Sequence, residues 1–157
     1  MPDTPEIHEP QRLRIWQQNM NRSLEGQLDL LQSLRAKDYD LAMLQEPHID
    51  FLGRTRSNLH WTVVYPKWYL PNPSATHFVI LVNRNLTSNN WTEISLPSTD
   101  VTGIRICGDF STIHIINIYN NCKHNGSLEV VKEYMRGRVR EQVEGERVWY
   151  IWLGDFN

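Results

Sequence analysis

The chain has 157 residues, 40% of them hydrophobic and six of them tryptophan, so it has the length of one domain and enough apolar surface for a real core. Sixteen Lys and Arg against 18 Asp and Glu leave a net charge of −2. That excludes a protein that holds nucleic acid mainly by bulk positive charge, though not an enzyme that cuts it. Cys107 and Cys122 have neither CxxC spacing nor a histidine cluster around them, so they read as reduced thiols.

Met1 to Gln11 is polar and holds three prolines. It is expected to be a disordered tail (1–11) ahead of one domain spanning 12–157. No apolar targeting stretch follows it, and no run is long enough to span a membrane. An intracellular protein without a membrane partner is expected, with the nucleus as a candidate compartment.

Leu13 to Asn19 alternates apolar with polar residues and suits a strand. Ser23 or Asn21 is a candidate N-cap for a helix whose apolar face is Leu24, Leu28, Leu31 and Leu34. Asp40 to Gln45 is a short apolar run that ends at Glu46, because Pro47 disfavours helix there. Strand, helix and strand in this order predict a β-α-β unit and an α/β fold class. His60 to Tyr65 and His77 to Val82 are further strands, the second nearly all apolar and hence buried. A turn at Asn89-Asn90 leads into Trp91 to Leu96. Val101 to Cys107 and Phe110 to Tyr119 predict a hairpin around a Gly108-Asp109 turn.

Leu128, Val131, Met135, Val139 and Val143 recur at helical spacing among many charges. Arg136, Arg138 and Arg140 are interleaved with Glu133, Glu141 and Glu144, which reads as a solvated helix face rather than a nucleic-acid patch. Trp149 to Leu153 is an apolar run that predicts a buried strand, and it delivers Gly154, Asp155 and Asn157 to its C-terminal tip.

Four apolar segments thus finish on residues capable of chemistry: Asn19, Glu46, Tyr119, and Asp155 with Asn157 beyond. In α/β sheets ligands gather outside the carboxyl ends of strands. Carboxylates and amides are hard oxygen donors suited to Mg²⁺ or Mn²⁺. A free carboxylate can orient a water for in-line attack, and amide or phenol groups can donate to phosphate oxygens. The set is equipment for phosphoester hydrolysis. No G-x-S-x-G is present, so acyl transfer has no support.

In order and spacing, "LQEP" at 44–47, "NIYNN" at 117–121 and "WLGDFN" at 152–157 resemble the endonuclease/exonuclease/phosphatase superfamily. More narrowly they are similar to the apurinic-type endonuclease domain of fungal-like non-LTR retrotransposons. The resemblance implies a four-layered α/β sandwich, a divalent metal (Mg²⁺, or Mn²⁺ in its place) and DNA as substrate. It also implies a domain fused to, or derived from, a reverse-transcriptase polyprotein. Residue by residue, it implies Glu46 as metal ligand with Asn21 beside it, where the family often has Asp. Asn19 becomes the adjoining amide, Tyr119 the phosphate-contacting phenol, Asp155 the water-orienting acid and Asn157 the amide that holds the scissile phosphate.

The family also carries a further Asp and a Ser-Asp-His-type pair beyond this motif. None of His8, His48, His60, His77, His114 and His124 sits in a matching pattern. The resemblance therefore implies a sandwich incomplete at its C-terminus, with an apolar sheet face or edge left open. The alternatives to an endonuclease module are a catalytically silent relict of such a domain and a phosphatase of the same superfamily.

Overall fold

In the computed structural model, which describes residues 12–68, 70–108, 111–120, 123, 125–141 and 144–156, the chain builds two four-stranded sheets. The expected tail, the Gly108-Asp109 turn beyond Gly108, Cys122, Val143 and Asn157 lie outside the described residues. The alternating segment forms β1 (Ile15–Asn19), and the leucine-rich segment forms α1 (Leu24–Ser33). The next apolar run forms β2 (Leu41–Gln45), parallel to β1 with Asn19 opposite Gln45. This is the expected β-α-β unit. β3 (Trp61–Val64) and β4 (Phe78–Asn83) complete the first sheet, in the order β1-β2-β4-β3. Every residue of β2 and β4 is buried. Strands covered on both faces read as unbroken apolar runs for this reason.

The second sheet runs β5-β6-β7-β8. It consists of β5 (Trp91–Ile94), β6 (Val101–Cys107), β7 (Ser111–Tyr119) and β8 (Arg147–Asp155). β6 and β7 form the expected hairpin. Just past the ladder, the Gly108 N–H donates to Ser111 O at 2.9 Å. α2 (Gly126–Glu141) carries the chain from β7 across to β8, which lies parallel to β7.

The sheets pack face to face through Leu41, Met43, Ile80, Val82, Ile104 and Ile115. α1 covers the outer face of the first sheet with Leu30, Leu31 and Leu34. α2 covers the second with Val131, against Ile116 and Ile118. The order helix, sheet, sheet, helix is a four-layered sandwich. Each aliphatic side chain fully buried in it contributes roughly 1.5–3 kcal/mol.

Three apolar expectations shift. Ser23 Oγ accepts from Gly26 N at 3.0 Å and caps α1 as expected. The buried stripe, however, is Gln27, Leu30, Leu31 and Leu34, while Leu24 and Leu28 are exposed. An i, i+3, i+4, i+7 stripe is the fuller helical face, but its first member is a glutamine, which an apolar count passes over. Gln27 Nε2 donates to Thr55 Oγ1 (2.6 Å) and Arg56 O (2.7 Å), and its Oε1 accepts from His48 N (2.9 Å). On α2, Leu128 and Val139 are exposed. The charges of α2 pair along its surface as expected, Lys132 with Glu129, Arg136 with Glu133 and Arg138 with Glu141. β8 is a sheet edge rather than a buried centre, with Trp149 61% and Trp152 50% exposed. Trp152 and Phe156 line an apolar groove with Leu128, Met135 and Val139 of α2. No helix among the described residues is long and apolar enough to cross a membrane.

At the opposite end of β1, the Arg14 guanidinium grips Asp40, with Nη2 2.9 Å from Oδ1 and Nε 3.2 Å from Oδ2. Burial works to raise the Asp40 pKa, but hydrogen bonds from Arg14 outweigh it and hold the carboxyl below its usual 3.8. Its folded value lies below its unfolded one. The pair therefore stabilises the fold above about pH 4 and ceases to do so as pH falls through the depressed folded value. Asp40→Asn is expected to flatten this acid limb of the stability profile, measured by thermal melts from pH 7 to pH 2. Gln27→Ala removes three hydrogen bonds from a fully buried position, and urea denaturation is expected to read a loss of about 3 kcal/mol.

Candidate active site

β1, β2, β7 and β8 send every second side chain into the space between the sheets. Along each of them the inward set is aliphatic at first and polar at its C-terminal end. The sets are Ile15, Gln17, Asn19; Leu41, Met43, Gln45; Ile113, Ile115, Asn117, Tyr119; and Ile151, Leu153, Asp155. The inter-sheet core thus ends in a polar layer. Its floor is a buried contact between the sheets, with Gln45 Nε2 donating to Asn117 Oδ1 at 3.3 Å. Above it lies an open cleft of roughly 310 Å³, walled by Gln17, Gln18, Asn19, Gln45, Gly154, Asp155 and Phe156. Gln45 and Asn117 escape a reading that looks only at strand ends. The switch from apolar to polar at constant parity is the signal that finds them.

Each expected site residue has a definite position. Asn19 and Asp155 wall the cleft from opposite sheets. The first sheet reaches across to the second here, Gln17 Nε2 donating to Gly154 O at 3.3 Å. Tyr119 stands beside Asp155 in the parallel ladder, which continues with Asn120 N donating to Asp155 O at 2.9 Å. Asn21 and Glu46 lie on the turns that follow Asn19 and Gln45, and neither forms a wall of the cleft. Those turns are joined, since Arg22 N donates to Glu46 O at 2.8 Å and Asn21 N donates to Asn19 Oδ1 at 2.7 Å. Asn21 (φ 48°), Arg22 (φ 56°) and Glu46 (φ 45°) are all left-handed. Non-glycine residues in that region cost free energy that the surrounding hydrogen bonds must offset, and such positions cluster at functional sites.

His77 and Asp100 are additions that the motif reading passes over. The His77 ring stacks on Tyr119, with centroids 4.4 Å apart and planes 12° apart. Its Nδ1 lies 2.8 Å from Asp100 Oδ1. The backbone N–H of Glu46 donates to His77 O at 2.7 Å. By contrast, His48 is held through its backbone by Gln27 and is not a cleft wall. His114 is structural, as its place in a strand implied: it is buried and hydrogen-bonded to the Tyr134 hydroxyl. Burial lowers the His114 pKa and pushes the Tyr134 phenol up to about 12.

The donor set fits a hard divalent cation. Among the described residues no three His, Cys, Asp or Glu side chains cluster, so this is no zinc-type cage. Mg²⁺ is ordinarily held by one or two carboxylates with waters and substrate oxygens completing its shell. Glu46 and Asn21, on the two joined turns, are the carboxylate and amide of the kind such an ion takes, while Asn19 Oδ1 is already engaged by Asn21 N.

Gly154 explains why a glycine precedes Asp155. Its φ is 147°, and a Cβ there would lie 1.9 Å from Ile118 O. β8 can hold Asp155 beside Tyr119 only because this residue lacks a side chain. Gly154→Ala is expected to destabilise the fold by about 3 kcal/mol or more through overlap and backbone strain. Gly137→Ala, where a Cβ meets nothing within 4 Å on α2, is expected to raise stability by up to about 1 kcal/mol. Parallel chemical melts of the two variants check both signs.

No protein-family model matches this chain, and no curated protein matches it. Solved structures do. The endonuclease domain of TRAS1, a telomere-specific non-LTR retrotransposon, superposes with a TM-score of 0.61 over 92% of this chain and 58% of that one, at 15% identity. A humanized D. rerio TDP2 carrying 14 mutations superposes with a TM-score of 0.51 over 91% of this chain and 61% of its own, at 12% identity. The chain therefore spans about three fifths of the length of the solved structures it matches. The chain shares the α/β fold of both.

Proposed function

We propose that this chain is a divalent-metal-dependent phosphodiesterase module, a DNA endonuclease domain of non-LTR retrotransposon origin, fused to or derived from a reverse-transcriptase polyprotein. One observation carries the reading. Asn19 and Asp155 wall one cleft from opposite sheets, Tyr119 stands beside Asp155 in the ladder and Glu46 lies on the turn after β2, in a sandwich whose fold is shared with a retrotransposon endonuclease domain.

In this reading Asp155 orients the attacking water and accepts its proton, a task for a carboxylate that stands at the cleft wall and is not a metal ligand. Tyr119, one strand away, donates its phenol proton to a non-bridging phosphate oxygen. Asn19 steadies the turn that carries Asn21, and its amide nitrogen faces the same phosphate. Asn157, outside the described residues, is assigned to the phosphate by resemblance. Glu46 and Asn21 would hold Mg²⁺, or Mn²⁺ in its place, and the bound ion would supply positive charge to offset that developing on the phosphate and the leaving oxygen.

Incubation of the protein with supercoiled plasmid and Mg²⁺ is expected to give nicked circles, and EDTA is expected to abolish them. Asp155→Asn is expected to lower the rate about 100-fold or more. Glu46→Gln is expected to raise the Mg²⁺ concentration needed for half-maximal nicking. Nicking unchanged by both substitutions would overturn the site assignment. Absence of Mg²⁺-dependent nicking in the wild type would overturn the activity.

A further inference from the structure

The residues assigned to phosphate chemistry belong to different sheets. Glu46 follows β2 of the first sheet, while Tyr119 and Asp155 end β7 and β8 of the second. A hydrophobic contact between sheets resists separation but tolerates small sliding, because dispersion contacts are not directional. Something directional is needed to hold one sheet's site residues against the other's.

His77 and Asp100 make such a connection. His77 immediately precedes β4 in the first sheet, and Asp100 immediately precedes β6 in the second. His77 O accepts the backbone N–H of Glu46 at 2.7 Å, which ties His77 to the metal-side residue. Across the gap, the His77 Nδ1 to Asp100 Oδ1 contact is 2.8 Å. Because a carboxylate only accepts, Nδ1 carries the hydrogen and the ring's orientation is set. The ring face then lies flat on Tyr119 at 4.4 Å, and Phe78 meets the same phenol edge-on at 5.7 Å. Asp100 closes the circuit, since its backbone O accepts from Tyr119 N at 2.9 Å. Asp100 is itself anchored, its N–H donating to Ser98 Oγ at 2.9 Å. Tyr119 is thus held by its backbone and by its ring through one residue, Asp100.

We infer that His77 and Asp100 form an inter-sheet positioning pair, which fixes the ring of Tyr119 relative to Glu46 by the stacked imidazole and its carboxylate anchor. Neither is a catalytic residue. Both act through Tyr119, so their effect belongs to orientation, where an error of about 1 Å can cost 100-fold in rate. The pair deepens the phosphodiesterase reading, and its kinetic consequence rests on that reading. Its structural consequence does not.

The test incorporates 3-fluorotyrosine and follows the Tyr119 ¹⁹F resonance, assigned by its loss in Tyr119→Phe. The stacked ring should place this resonance away from the other tyrosines. His77→Ala is expected to remove that displacement, while His77→Phe, which keeps a flat ring, restores most of it. Asp100→Asn is expected to broaden the signal as the imidazole loses its anchor. In plasmid nicking, His77→Ala is expected to lower kcat by roughly 10- to 100-fold with little change in KM, and His77→Phe to recover most of the loss. Far-UV circular dichroism confirms that each variant is folded, and His77→Phe, the closest in shape, keeps the comparison available if His77→Ala does not fold. A Tyr119 resonance unmoved in His77→Ala, or unchanged in both position and width in Asp100→Asn, overturns the positioning pair. If the wild type does not nick DNA, the phosphodiesterase reading falls while the fluorine signal still decides the pair.

Discussion

The face-to-face contact of the two sheets is the constraint on which everything else depends. Leu41, Met43, Ile80 and Val82 from one sheet meet Ile104 and Ile115 from the other. Neither sheet holds all of the proposed site residues. β1 and β2 bring Asn19, Asn21 and Glu46, and β7 and β8 bring Tyr119 and Asp155. The spacing of these groups is therefore a property of sheet packing, which is set by interlocking side chains and sensitive to a single methylene. This places the chemical burden on the core directly beneath the cleft.

That core ends in a graded way. Aliphatic side chains give way to Gln45 and Asn117, joined by a hydrogen bond inside the sandwich, and then to the exposed polar groups of the cleft. A buried amide pair costs little once hydrogen-bonded and imposes a direction that aliphatic packing lacks. The backbone adds its own constraints at this end. Three left-handed non-glycine residues and the close approach of Gly154 to Ile118 all fall within the turns and strand tips around the cleft. Elsewhere among the described residues positive φ values occur only at Gly53 and Gly145. Unfavourable backbone is thus concentrated where side chains must be aimed.

The two halves of the sandwich are covered unequally. α1 buries three leucines and a fully satisfied glutamine against the first sheet. α2 buries chiefly Val131, pairs its charges along its own surface and leaves a groove toward Trp152 and Phe156. β8, the strand that presents Asp155, is consequently the least covered of the site-bearing strands in the second sheet. Its place depends on the parallel ladder to β7 and on the glycine that lets it approach.

Much of this was legible in the residues. Period-two alternation and unbroken apolar runs located the strands other than β5, because burial on one or both faces writes itself into polarity. The Ser23 cap, the β-α-β unit, and the ends at Asn19, Glu46, Tyr119 and Asp155 follow from local chemistry, and their order carried the superfamily resemblance that the fold bears out. Three things were decided only by tertiary structure. Gln27 sits where α1 is most deeply buried, because its partners Thr55, Arg56 and His48 come from a distant loop. β8 lies at an edge, because an apolar run specifies affinity for a core but not how many neighbours the strand receives. His77 and Asp100 meet across the sheets 23 residues apart in sequence. Local pattern determines what each segment can become, whereas contacts between segments distant in sequence arise only when the chain is closed in three dimensions.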